Sequence, residues 1–187
     1  LTATVRRDGS SRFGNQNKWG TFPSVSVGYR VSEEKFMQNL DFLSNLKIRV
    51  SYGEAGNNLI GNYAHIGLLT PANYVNNNNI EPGLVTNSME NDNLTWEKSK
   101  QFNIGLDLGL FNDRITLIAD AYRDYKTDLL LAVQLPAASG FNSSIQNIGE
   151  IENKGVEIGL NTDNVISKDF RWSTTFNISA NKNEVKK

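Results

Sequence analysis

Cysteine is absent from this 187-residue chain, histidine occurs once, and no long apolar run is present. Without cysteine there is no disulfide framework and no thiol chemistry. A membrane-spanning helix needs about 18 or more consecutive apolar residues, and the mean hydropathy of −0.43 agrees that none is encoded. A partner of nucleic acid needs a basic excess, which a formal net charge of −1 does not supply, so we predict no nucleic-acid binding.

What the chain does contain is a one-by-one alternation of apolar and polar residues. The clearest stretch is 101–110, where Phe102, Ile104 and Leu106 begin an apolar series that alternates with amides, a carboxylate and glycines. Successive side chains of a β-strand point to opposite faces, so this stretch predicts a strand with one apolar and one polar face. At least six other stretches follow the same rule. The predicted fold class is therefore all-β, an antiparallel up-and-down meander.

The pattern predicts about seven long strands and one short helix. The strands are expected at 1–7, 19–31, 46–52, 96–110, 115–125, 156–161 and 170–181. Helical spacing of Phe36, Met37 and Leu40 predicts an amphipathic helix near 33–43, with Ser32 as its N-cap. Residues 53–95 are rich in asparagine and glycine and have no clear periodicity, which is typical of a long functional loop.

Two architectures accommodate such strands, a membrane barrel and a soluble sandwich. Several predicted strands exceed the usual five or six residues, whereas a tilted membrane strand needs about 9–11. Connections of roughly 10, 40 and 25 residues at one end and mostly short turns at the other are typical of outer-membrane barrels. Trp19, Tyr29 and Trp96 lie near strand ends, as in an interfacial aromatic girdle. The alternative is a soluble β-sandwich, such as a carbohydrate-binding module, whose aromatic side chains fill its core.

No catalytic, cofactor-binding or metal-binding site is predicted, and the chain is expected not to be an enzyme. The only histidine, His65, lies in the asparagine-rich stretch, and a serine hydrolase would also need a nearby serine and an orienting group. Asp120 and Asp124 could serve as a glycosidase pair, but charge on the wet face of a sheet explains them more simply. Loss of hydrolysis on His65→Ala would distinguish a barrel enzyme from a transporter.

Several blocks of sequence, which cover nearly the whole chain, carry a family resemblance. They are ATVRRDGSSRFG at 3–14, WGTFPSVSVGYR at 19–30, LKIRVSYG at 46–53, LTWE at 94–97, NIGLD at 103–107, LP at 135–136, SGF at 139–141 and NIGEIENKGVE at 147–157. In this order, the blocks resemble the C-terminal barrel region of the SusC/RagA family of TonB-dependent outer-membrane transporters.

The resemblance implies a 22-stranded transmembrane β-barrel in the outer membrane of a Gram-negative cell, with an N-terminal plug. A SusD-like surface lipoprotein would act as a lid and deliver oligosaccharides, or peptides in some members. TonB would act through the plug and its TonB box. Residues 1–187 are then expected to be a partial barrel domain from which the plug domain is absent, and no cofactor is implied.

Six loop residues are candidates for weak substrate contact under this interpretation. Aromatic faces stack on sugar rings, and side-chain amides match hydroxyl groups as both donors and acceptors. The candidates are Tyr63, His65, Tyr74, Asn76, Asn77 and Phe141.

Overall fold

The computed structural model describes residues 1–37 and 39–187, which form antiparallel β-strands with very little helix. Among these residues, no helix is long and apolar enough to cross a membrane. The helical elements described are the 3-10 turns Val31–Glu33 and Ala137–Ser139. The strands are β1 (Thr2–Gly9), β2 (Trp19–Arg30), β3 (Leu43–Asn57), β4 (Leu69–Asn76), β5 (Asn79–Thr86), β6 (Glu97–Leu110), β7 (Ile115–Thr127), β8 (Leu130–Gln134), β9 (Ser143–Asn147), β10 (Ile151–Ile166) and β11 (Arg171–Val185).

Seven of the strands form one sheet in the order β1-β2-β3-β6-β7-β10-β11. Every neighbouring pair is antiparallel, and this is also their order along the chain. The predicted all-β meander of seven long strands is therefore confirmed. The strands β3, β10 and β11 contain 15, 16 and 15 residues, so the third, sixth and seventh strands extend well beyond their predicted ends.

Two small hairpins occupy stretches that were predicted to lack regular structure. The first pairs β4 with β5 inside 53–95, and the second pairs β8 with β9 inside the connection from β7 to β10. The first hairpin turns at Asn77 and Asn78, whose φ values of 46° and 62° are left-handed, a conformation that asparagine tolerates. Pro71 and Pro82 lie within these strands, although proline is usually a signal against a strand.

The predicted amphipathic helix near 33–43 is wrong as an α-helix. Its predicted N-cap, Ser32, lies inside the 3-10 turn, whose N-cap position is Arg30 without a side-chain bond. Successive three-residue turns follow, in which the amides of Met37 and Leu40 donate to the carbonyls of Glu34 and Met37. The chain must return to the strand beside it, only about 5 Å away, and tight turns achieve this in fewer residues. Gln38, within the predicted helix, lies outside the described residues.

The seven-stranded sheet is a single layer with a bare apolar face. The registers place Leu106 directly between Ile48 of β3 and Ala119 of β7, and Ile158 between Ala119 and Ile178. Ile178 is 55% exposed. In the described part of the chain, no second sheet covers this face, so the alternative of a β-sandwich is wrong. Further exposed members of the face are Val25, Val27, Val50, Tyr52, Phe102, Ile104, Val156 and Phe176.

The two ends of the sheet differ, as the sequence predicted. Connections 10–18, 58–96 and 128–150 meet at one end, here named the loop end. Connections 31–42, 111–114 and 167–170 meet at the other, named the turn end. The turn between β6 and β7 uses left-handed φ values of 54°, 57° and 60° at Phe111, Asn112 and Asp113. This connection is one of the short turns predicted for this end of the sheet.

Candidate functional site

The buried apolar residues of the described chain gather at the loop end, beneath the long connections. Leu94 is fully buried, and the indole ring of Trp96 lies 5.4 Å from the ring of Phe13 and 5.5 Å from that of Phe22. Ile60 completes this loop-end cluster. Because its members come from β2 and from two different connections, the cluster fixes the loops to the end of the sheet.

Two glycines leave space for the Phe22 ring of the cluster against the sheet. A Cβ atom built on Gly20 would lie 2.5 Å from Cζ of Phe22, and one on Gly56 would overlap the same ring. No side chain fits at such distances. Gly20 of β2 and Gly56 of β3 therefore allow the Phe22 ring to approach the backbone of both strands.

Hydrogen bonds join the connection 10–18 to the connection 58–96. The guanidinium of Arg12 donates from Nη1 to the carbonyl of Asn58 and from Nε to Oδ1 of Asn62, both at 3.2 Å. The Nδ2 of Asn58 donates to the hydroxyl of Ser10 at 2.9 Å. The ring Nδ1 of His65 lies 3.0 Å from the backbone oxygen of Arg12. His65 thus has a structural partner.

Asn147 joins the connection 128–150 to the rest of the loop end. Its Oδ1 accepts from the amide of Thr95 at 2.8 Å, and its Nδ2 donates to the carbonyls of Thr95 and Asp128 at 2.8 and 2.9 Å. Nearby, Nδ2 of Asn91 donates to the carbonyl of Ile145 at 2.9 Å. All three long connections are therefore held together as one body of loops.

The hairpin β4–β5 carries an apolar face that nothing covers in the described part of the chain. Successive side chains of each strand point to opposite faces of the hairpin, so one face can be apolar while the other is polar. Val75 pairs with Ile80, and their exposures are 73% and 74%. Opposite them, Tyr74 pairs with Glu81 on the other face. The open face of the hairpin consists of Leu69, Pro71, Asn73, Val75, Ile80, Pro82, Leu84 and Thr86, all exposed.

The six predicted contact residues lie on three separate segments of the loop end. Tyr63 is exposed with a left-handed φ of 62°, and His65 is half-buried two residues later. Tyr74, Asn76 and Asn77 occupy the exposed tip of the hairpin β4–β5. Phe141 is half-exposed in the hairpin β8–β9, after the left-handed Gly140.

A groove at the loop end is lined by other residues, which sequence reasoning missed. It has a volume of about 370 Å³ and lies between segments 89–93 and 144–148. Four of its eight lining side chains are amides and one is a carboxylate, and none of the six predicted residues lines it. The sequence signal for this groove is the amide-rich run that contains Asn91 and Asn93. The lining residues are Met89, Glu90, Asn91, Asn93, Ser144, Gln146, Asn147 and Ile148.

The polar face of the sheet carries an ion-pair network and a second groove. Arg49 donates to both oxygens of Asp107, at 2.9–3.1 Å, and to Oδ2 of Asp120 at 3.1 Å. Asp124 accepts from the hydroxyl of Ser99 at 2.5 Å, so each carboxylate of the supposed glycosidase pair has its own partner. The second groove, of about 440 Å³, is lined by Ile118, Asp120, Glu157, Ile158, Gly159, Asn161, Asn177, Ile178 and Ser179.

A single-layer antiparallel sheet with one bare apolar face, one polar face and long loops at one end is the wall of a membrane β-barrel. The family described as TonB dependent receptor-like, beta-barrel matches residues 1–185. The chain belongs to this family.

Relatives and solved structures agree with this assignment. TonB-dependent receptor P26 of Formosa agariphila is 43% identical over 185 residues, which are 99% of this chain and 19% of that protein. TonB-dependent receptor SusC of Bacteroides thetaiotaomicron is 40% identical over 192 residues, covering 100% of this chain and 19% of SusC. The RagAB peptide importer in its open-open state matches with a TM-score of 0.88 and 38% identity, covering 99% of this chain and 20% of that chain.

The chain spans about a fifth of the length of the curated relatives it matches. The predicted resemblance to the SusC/RagA family is confirmed, together with the assignment to a TonB-dependent receptor barrel.

Proposed function

We propose that this chain forms part of the wall and the outer vestibule of an outer-membrane importer for oligosaccharides or peptides. The observation that carries the proposal is the bare apolar face beside a polar one. Contact with hydrocarbon tails costs these apolar side chains no free energy, whereas their exposure to water is unfavourable. Across β6, the apolar side chains run from Phe102 to Leu110, which is about 27 Å along a strand. A tilt of about 35–45° makes this a band roughly 20 Å tall, close to that of known barrels.

The loop end is placed outside the cell in this proposal. Barrels of the outer membrane have long extracellular loops and short periplasmic turns, and the connections of this sheet differ in the same way. The aromatic side chains of Phe42, Phe111 and Trp172 then lie at the periplasmic boundary, while Trp19 lies at the extracellular one. The location is the outer membrane of a Gram-negative cell.

The imported substrate is a polar chain, an oligosaccharide or a peptide. Amide, hydroxyl and carboxylate groups line both the loop-end groove and the polar-face groove, and such groups match the donors and acceptors of sugars and of peptide bonds. The predicted contacts Tyr63, His65, Tyr74, Asn76, Asn77 and Phe141 lie at the loop end and are proposed to contact the substrate there. The proposed role is transport, in keeping with the TonB-dependent receptor family to which the chain belongs.

A SusD-like surface lipoprotein is the proposed partner of the loop end, and TonB acts on the complete receptor through its plug domain. The open face of the hairpin β4–β5 supports the lipoprotein contact, because large exposed apolar patches mark protein interaction sites. A lid that packs on it would cover Val75, Ile80 and Leu84.

Two measurements on the full-length receptor test the proposal. Deleting its gene is expected to abolish growth on either an oligosaccharide mixture or a peptide mixture, and a protonophore that removes the energy for TonB should stop uptake of that same class. Unchanged uptake of both classes after deletion would contradict the proposal.

The lid contact is tested by capture of the lipoprotein encoded beside the receptor. Ile80→Asp with Leu84→Asp should lower its affinity at least tenfold, because two charges would be buried unpaired. Asn79→Asp is the matched control, since it adds a charge on the opposite face of the same hairpin tip. Equal capture by both variants would contradict the lid contact.

A further inference from the structure

Three basic side chains form a row on the apolar face of the sheet, near the loop end. Arg123 on β7 lies directly opposite Lys154 on β10, which lies directly opposite Lys182 on β11. Each is the first charged side chain beyond the apolar stretch of its strand, because Ala121, Val156 and Ala180 come one step before them on the same face. Like charges directly opposite each other repel. Such a row therefore requires compensation by anions.

The compensation that the chain itself provides is incomplete. Glu152 accepts from Nε of Arg123 and Nζ of Lys186, both at 2.9 Å, and lies 3.5 Å from Nζ of Lys154. Glu184 pairs with Lys182 and Lys186. Four cations thus share two carboxylates. The bonds to Glu184 and Glu152 raise the pKa of Lys186 above its ordinary value, so that lysine stays charged.

The surface shows the excess positive charge rather than the carboxylates. The side chain of Glu152 is only 5% exposed, whereas those of Arg123 and Lys182 are 60% and 66% exposed. An approaching anion would therefore meet guanidinium and ammonium groups first. The buried carboxylate of Glu152 lies behind Arg123 and Lys154 and holds them in place.

An open apolar groove adjoins the basic row. It has a volume of about 440 Å³, and its walls combine Arg123, Lys154 and Lys182 with Val156 and Ala180. Small side chains leave this space, since Ala121 and Ala180 flank Val156 in the next row. A molecule that fits has an anionic group at one end and an apolar chain at the other.

We propose that this surface binds a phosphorylated glycolipid of the outer leaflet, with its phosphate on Arg123, Lys154 and Lys182 and an acyl chain against Val156 and Ala180. Arginine binds phosphate by two parallel hydrogen bonds, and lysine adds point charges. Basic clusters at the membrane boundary attract anionic headgroups in the same way. The inference rests on the proposed function, because only a barrel in the outer membrane presents this face to that leaflet.

The test measures binding of lipid A, with both phosphates, to the full-length receptor in detergent. Lys154→Gln with Lys182→Gln is the test variant, since it leaves Arg123 and Lys186 to neutralise Glu152. Each lysine beside an anionic lipid is worth about a factor of five, so affinity should fall about 25-fold. Lys47→Gln with Lys168→Gln removes the same charge away from the surface and should leave affinity unchanged. Ala180→Trp, which fills the groove and keeps every charge, should also weaken binding.

Further arms identify the source of the anion. Dephosphorylated lipid A should bind the wild-type receptor and the lysine variant alike, and inorganic phosphate should compete only weakly. Equal affinity of the lysine variant and its control for lipid A would overturn the inference, as would equal binding of lipid A and inorganic phosphate. A receptor that fails to insert into the outer membrane contradicts the proposed function and this inference together. An inserted receptor with no preference for phosphorylated lipid contradicts the inference alone.

Discussion

Arg49 of β3 reaches Asp120 of β7 across the whole width of the strand between them. The Nη2 of Arg49 lies 3.1 Å from Oδ2 of Asp120, and the guanidinium passes over Gly105 of β6. A Cβ atom on Gly105 would lie 2.5 Å from Oδ1 of Asp120 and 2.6 Å from Cζ of Arg49. The missing side chain is thus what allows one arginine to join three strands on the polar face.

Gly105→Ala is expected to disrupt this network and destabilise the wall. The added methyl group must displace the guanidinium or the carboxylate, and overpacking of this kind costs about 1–3 kcal/mol. The measurement is urea unfolding of the full-length receptor in detergent. Gly53→Ala is the control on the same face, because its Cβ would meet nothing closer than 3.4 Å. An equal loss of stability in both variants would contradict the role given to Gly105.

Leu106→Arg is expected to impair assembly of the barrel far more than Asp107→Asn. Leu106 lies midway along the apolar series of β6, and an arginine at the centre of the lipid face costs about 2–4 kcal/mol. Asp107 points to the polar face, where asparagine still accepts a hydrogen bond from Arg49. Folding into lipid vesicles measures the difference. Similar effects of the two substitutions would show that the faces are assigned wrongly.

Asn147→Ala is expected to loosen the connection 128–150 without unfolding the sheet. The change removes two hydrogen bonds to Thr95, outside this connection, and one to Asp128 within it, each worth about 0.5–1.5 kcal/mol. Amide hydrogen exchange in 128–150 should therefore speed up at least tenfold. Asn142→Ala is the control, since that side chain is exposed. Unchanged exchange in the Asn147 variant would rule out this anchoring role.

Removal of the hairpin 69–86 is expected to spare folding and stop uptake. The amide of Asn87 donates to the carbonyl of Leu68 at 2.7 Å, so two glycines can close the gap without strain on the loop-end cluster. We expect assembly within about 0.5 kcal/mol of the wild type and a fall in uptake of at least tenfold. Full uptake by the shortened receptor would exclude a vestibule role for the hairpin.

Strands could be predicted from the sequence where one face of the sheet is uniformly apolar and the other polar, because apolar and polar residues then alternate along the strand. The series from Phe102 to Leu110 is of this kind. The hairpin β4–β5 was not predicted because its strands are not part of the seven-stranded sheet and contain prolines, which usually indicate that a segment is not a strand. The helix near 33–43 was predicted wrongly because the spacing of Phe36, Met37 and Leu40 is also compatible with consecutive three-residue turns.

The loop end was harder to predict than the sheet, because its contacts join residues far apart in the chain. Asn147 meets Thr95 across 52 positions, and no local pattern announces such a pair. His65 is the only histidine and was considered as a catalytic residue, yet its ring contacts the backbone oxygen of Arg12. The basic row could not be predicted from the sequence either, because Arg123, Lys154 and Lys182 are far apart in the chain and become neighbours only through the registers of three strands.

The central claim, that lipid covers the apolar face, is tested most directly by scanning 101–110 with single spin-labelled cysteines. The chain contains no cysteine, and any elsewhere in the full-length receptor would be replaced first. In lipid vesicles, labels at even positions should be accessible to oxygen and shielded from a water-soluble nickel complex. Labels at odd positions should show the reverse. Even positions shielded from both reagents would mean that protein covers this face, and the account would be wrong.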